Sequence, residues 1–185
     1  DLIVLISIAR GIAQRPLFSG ATWEFGNDWV CQFRRVGDRV HFVRRNVRYL
    51  ADPGSPEALA VDEAYTDSIL NTLAIVAERT DGSLLVDLSP AFQSDLPNIQ
   101  KMLPGFEYSP DKSSWANIQG FAQNIELQVD ATYTSDGTTD LEAVPDSRSL
   151  TIRVHYSISR LPQSSYQHRL AEDRNGYFLS VSKNF

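Results

Sequence analysis

The sequence predicts an α+β fold rich in strands: a mainly antiparallel sheet of hairpins with one or two helices packed on it. Three observations carry this. Two long segments alternate apolar and polar residues, 125–133 and 150–158. A third segment, 30–49, holds its own turn. A stretch beginning at Ser55 has the chemistry of a helix start.

The first element is the β-branched, apolar run Leu2 to Ile8, which reads as a well-buried strand. Residues Arg10 to Asn27 read as a loop punctuated by Gly11, Pro16, Gly20 and Gly26. In Val30 to Tyr49, Gly37-Asp38 supplies a two-residue turn, since glycine accepts positive φ at the first central position. Counting back from that turn pairs Phe33 with Phe42 and Arg35 with Val40. Cys31, Phe33, Val40 and Phe42 then share a core face, with Arg35 and Arg44 at its ends. Gln32, Arg34, Arg39, His41, Val43 and Arg45 share a largely wet one.

Ser55-Pro56-Glu57 places a capping hydroxyl, a proline at the first helical position and an acid in the first turn. Val61, Tyr65, Ile69 and Leu73 follow at intervals of four, which predicts a buried helical stripe with Asp62, Glu63 and Asp67 opposite. A second hairpin is expected from Ala74–Glu78 and Leu84–Leu88 around Thr80-Asp-Gly-Ser83, then a short helix over Leu96–Leu103. Two amphipathic strands come next. Ile125, Leu127, Val129, Ala131 and Tyr133 face one way on the first, and Leu150, Ile152, Val154, Tyr156 and Ile158 on the second, joined by the acidic loop Ser135–Ser147. Pro162–Asn175 is polar, and Tyr177–Val181 reads as a last strand.

Composition narrows the function classes. Of 185 residues, 42% are hydrophobic and 22% charged, as in ordinary globular proteins. A net charge of -6 argues against general affinity for nucleic acid or anionic membrane. The longest apolar run is too short to span a bilayer and lacks the flanks of a signal peptide. The single cysteine, Cys31, excludes an internal disulfide and is expected to be a buried thiol. The chain opens directly in a strand-like run, without Met, and is expected to be a single accessory domain, 1–185, cut from a longer polypeptide.

A search for chemistry finds no complete centre. His41, His155 and His168 lie far apart, with no H-E-x-x-H and no cysteine pair, so no metal site is assigned. Nucleophile elbows and phosphate loops are absent, and no catalytic or cofactor-binding residue is assigned. The densest charge is the set Arg34, Arg35, Arg39, Arg44, Arg45 and Arg48. Arg34, Arg44 and Arg45 form a candidate surface for a phosphate, a carboxylate or an acidic partner. The competing reading is a solvated hairpin face whose arginines pair with the acids of the following helix. Trp23, Trp29 and Trp115 are either a sugar-stacking surface or core and lid packing.

The order of segments adds a resemblance. Phe33-Arg-Arg-Val-Gly-Asp-Arg-Val-His-Phe-Val-Arg-Arg-Asn-Val-Arg-Tyr49 precedes Val61-Asp-Glu-Ala-Tyr-Thr-Asp-Ser-Ile-Leu70, Ile75-Val-Ala-Glu78 and Leu85-Val-Asp-Leu-Ser-Pro90. Leu150-Thr-Ile-Arg-Val-His-Tyr-Ser-Ile158, Leu161-Pro162 and Asp173-Arg-Asn-Gly-Tyr-Phe178 complete the set. This succession resembles the uncharacterised N-terminal domain of a bacterial family of large, exported zinc-dependent metalloproteases.

The resemblance implies a catalytic domain downstream with an H-E-x-x-H-x-x-G-x-x-H motif, in which three histidines hold zinc and the Glu activates water. None of those positions exists in this chain, so zinc is implied for the parent alone. The resemblance further implies export, a peptide or protein substrate for the parent, and the catalytic domain as partner. The apolar strand at the end of the chain, with little sequence left to cover it, makes Tyr177 and Phe178 the expected interdomain interface. The alternative is a glycan- or anionic-polymer-binding module using the arginine hairpin or the tryptophan loop.

Overall fold

The structure is a computed structural model that describes residues 1–8, 28–138 and 140–162. Strands β8 (Asn124–Thr134) and β9 (Ser149–Arg160) pair antiparallel along their whole length, Asn124 against Ser159 and Thr134 against Ser149. Their alternation sets the fold. Leu127, Val129, Ala131 and Tyr133 are buried on one face with Leu150, Ile152, Val154, Tyr156 and Ile158, as their period of two requires. Ile125, at the end of the row, is 40% exposed.

β1 (Leu2–Ser7) lies beside β9 and pairs on its other side with β2 (Trp29–Val36). From there β2, β3 (Arg39–Arg44), β4 (Ser68–Glu78) and β5 (Leu84–Val86) form an antiparallel meander. β6 (Glu107–Tyr108) and β7 (Ser114–Gly120) line the other edge of β8. Both lie in a stretch, 105–124, for which the sequence shows no strand signal. A bulge between Trp115 and Asn117 breaks the period that would have marked β7.

The β2–β3 hairpin has the expected register, Phe33 opposite Phe42 and Arg35 opposite Val40, with Gly37 at φ 60° in its turn. Val43 departs from its expected wet setting and is fully buried. The β4–β5 turn is closed by Asp81, whose carboxylate accepts from the Ser83 N–H and hydroxyl, with Gly82 at φ 80°.

Helix α1 (Pro56–Ala64) starts as expected: Ser55 Oγ accepts the Ala58 N–H at 3.2 Å and Pro56 occupies the first turn. The expected stripe does not form. α1 buries no residue, Tyr65 ends it, and Ile69 and Leu73 belong to β4. A spacing of four is two strand periods as well as about one helical turn, so it does not discriminate between them. β-branched residues in 68–78 then favour the strand.

The core face is covered by the segment between β5 and β6. It contains α2 (Ser89–Phe92) and a 3-10 turn at Ile99–Met102, where a longer helix was expected. Phe92 lies 5.4 Å from the Phe42 ring and 5.1 Å from the Tyr156 ring, so one side chain joins the two halves of the sheet. Ile99, Leu103, Phe106 and Leu141 complete the cover. The architecture is therefore α+β and β-rich, with α2 packed on the sheet and α1 standing off it.

Candidate functional site

The arginine hairpin divides in two. Arg34 Nη2 donates to Asp67 at 2.8 Å, and Arg45 Nε lies 3.6 Å from the same carboxylate while its Nη1 reaches Asp1 at 3.2 Å. Arg35 holds Glu78 by two parallel bonds of 2.8 Å. Of the acids expected from sequence, Asp62, Glu63 and Asp67, the partners thus include Asp67 but neither of the two on α1. The partners are Asp67 between α1 and β4, Glu78 at the end of β4, and Asp1. Burial opposes the charge on Asp67, but the Asn46 N–H, Arg34 and Arg45 outweigh it and hold its carboxyl below the usual range.

Arg44 differs from its neighbours. Its guanidinium lies 4.3 Å above the Trp29 ring centroid. Together with Arg45, Arg48, Tyr49, Thr66 and Ser68 it lines an open cleft of about 520 Å³, which Asp28 also borders. Of the predicted surface Arg34, Arg44 and Arg45, only the last two reach this cleft, and Arg48 joins them. Tyr49 is stacked on Tyr65 with ring centroids 4.0 Å apart. This gives the cleft a fixed aromatic wall.

Among the described residues, Trp29 and Trp115 do not form a platform together. Trp29 is buried beneath Arg44, and Trp115 is half-buried on β7 with its Nε1–H directed to Ser89 Oγ at 3.3 Å. Three strands, β1, β9 and β8, separate β2 from β7. Trp23, His168, Tyr177 and Phe178 lie outside the described residues, as do the loop expected at 10–27 and the strand expected at 177–181.

Opposite the core face, β8 and β9 carry a polar ladder that sequence reading missed. Arg153 clasps Asp130 through two bonds of 2.7 Å. His155 Nε2 lies 2.6 Å from Glu126 Oε2, and Ser157 Oγ donates to Glu126 Oε1 at 2.7 Å. The signal was present as alternation, but acids on one strand meet bases on the next only once the register is known. Ser157 and His155 both turn to Glu126 rather than to each other, so the group is not arranged as a nucleophile and its base. Among the described residues, no three His, Cys, Asp or Glu side chains gather to hold a metal ion. Cys31 is fully buried, and burial pushes its thiol up to about 12 against a smaller opposing effect of Arg44.

One end of the core face stays open. Leu2, Phe33, Phe121, Ile125 and Ile158 line an apolar recess of about 410 Å³ with Arg160 at its border. Phe121 is 58% exposed and Phe33 37%. Among the described residues no helix is long and apolar enough to cross a membrane.

These features define a β-rich α+β domain that carries an apolar recess, a basic cleft and a ladder of paired polar side chains. The chain belongs to the family described as a domain of unknown function, DUF5117, which it matches over residues 24–185. No curated protein and no solved structure matches it.

Proposed function

We propose that this domain is the non-catalytic N-terminal part of an exported zinc-dependent metalloprotease, packing against the catalytic domain and shaping one wall of its substrate cleft. The ordered segments that carry the family resemblance support this reading. The geometric observation that carries it is the apolar recess at the open end of the core face. Phe33 and Ile125 continue the buried rows of β2 and β8, Phe121 stands in the turn between β7 and β8, and all three are left half in water. Such a surface gains stability when a partner covers it. The residues that would hold zinc belong to the parent's catalytic domain, and this chain contributes no ligand to that reading.

The test uses the parent polypeptide. Phe121→Ser with Ile125→Ser is expected to loosen the domain contact, seen as faster proteolytic cutting between the domains and lower peptidase activity. Unchanged cutting and activity, with the domain still folded, would sink the docking surface. A parent sequence lacking the zinc motif would sink the family reading itself. An activity that rises instead would mark the domain as a mask rather than a cleft wall.

A further inference from the structure

We propose that the cleft between the start of β2 and the segment joining β3 to α1 binds a single oxyanion group of a small ligand, held by Arg44 and Arg48. The group is a phosphate, sulfate or carboxylate. The inference does not depend on the protease reading and survives its failure.

Charge is the first observation. The chain as a whole is acidic at -6, yet three arginines line this one cleft, with Asp28 the acid on its border. Arg45 is held by Asp1 and Asp67. Arg44 and Arg48 make no ion pair among the described residues, and their side chains donate no hydrogen bond there. A concave, locally positive site on an acidic protein concentrates anions at that point.

Geometry is the second. The Arg44 guanidinium carbon lies over the Trp29 ring, 4.3 Å from its centroid. A cation–π contact holds the guanidinium without occupying all of its five N–H donors, which form the fork that oxyanions accept. The ring also fixes the side chain before a ligand arrives, so less conformational freedom is lost on binding. Thr66 and Ser68 add hydroxyls to the lining, and Tyr49 is braced by Tyr65. The volume, about 520 Å³, suits a small ligand. A long anionic polymer would call for a continuous basic track, and Asp67 interrupts one by pairing with Arg45 at the cleft and with Arg34 beyond it.

Trp29 is itself the reporter. In the full chain carrying Trp23→Phe and Trp115→Phe, emission is followed while inorganic phosphate, sulfate or citrate is titrated at constant ionic strength. The expected result is a saturable change with at least one of the three, weakened about tenfold or more by Arg48→Gln, as loss of a charge-assisted bidentate contact implies. Arg39→Gln, on the same hairpin but outside the cleft, should leave the midpoint unchanged. No saturable response to any of the three overturns the proposal. So does a midpoint that Arg48→Gln leaves in place, or one that Arg39→Gln shifts equally. A response to polyphosphate alone also overturns it, in favour of a polymer track.

Discussion

The Tyr133 hydroxyl donates to Asp95 Oδ1 at 2.8 Å, tying β8 to the segment that covers the core. The same carboxylate accepts the N–H of Ile99 at 2.8 Å and of Gln100 at 2.9 Å, so Asp95 anchors the 3-10 turn as well. Tyr156, on the same face of the neighbouring strand, buries its hydroxyl without a hydrogen-bond partner among the described residues. The two tyrosines look alike in sequence and differ in what their oxygens do.

Removing each hydroxyl should therefore have different consequences. Tyr133→Phe strips a charge-assisted bond from a buried anchor and is expected to cost about 1.5–3 kcal/mol. Tyr156→Phe removes an unmet polar group and is expected to be neutral or to stabilise by up to about 1 kcal/mol. Denaturant melts of the two variants against the wild type check this. Equal losses would show that the Tyr156 oxygen is satisfied after all.

Asp67 gathers Arg34, Arg45 and the Asn46 N–H at the edge of the sheet. Its carboxyl is held below its ordinary value of 3.8, so the folded state binds its proton less readily than the unfolded chain. The stabilisation is accordingly present above about pH 4 and is lost as pH falls through the lowered folded value. Asp67→Asn is expected to cost about 1 kcal/mol at pH 7, since the pairs are partly exposed. The difference from wild type should shrink toward zero in acid. A difference that is constant with pH would mean that charge is not what Asp67 contributes.

What could be read from sequence tracks the distance over which each signal acts. The Gly37-Asp38 turn fixes the register of its own hairpin, and two strands of strict alternation announce their buried rows, because both signals are local. Asp67 and Arg34 are 33 residues apart, and Glu126 and His155 are 29 apart. Pairs of that kind exist only after the sheet has assembled. α2 is four residues long and shows no period at all. The cleft was half legible: Arg44 and Trp29 were both singled out, but nothing local says that one lies on the other.

The correction at α1 has a mutational signature. Val61 lies on a helix that buries no residue, whereas Leu73, three intervals of four further on, is fully buried in β4. Val61→Ala should stay within about 0.5 kcal/mol of wild type, as surface substitutions do. Leu73→Ala should cost about 2–5 kcal/mol through lost burial and the cavity left behind. If the two belonged to one buried helical stripe, both would be costly. A large loss at Val61 would therefore restore the longer helix.

Cys31 sits on the core face of β2 opposite Arg44, with no exposed surface. Its thiol is pushed up to about 12 by burial, and the nearby guanidinium offsets only part of that. At pH 8 it is therefore protonated as well as shielded, and thiol reagents require the thiolate. Labelling of the native chain with an aromatic disulfide reagent should be slow and should become rapid and stoichiometric in denaturant. Arg44→Gln removes the one opposing charge, which raises the thiol further and should slow native labelling more, provided the sheet stays closed. Faster labelling in that variant would instead show that Arg44, through its stack on Trp29, keeps the edge of the core shut.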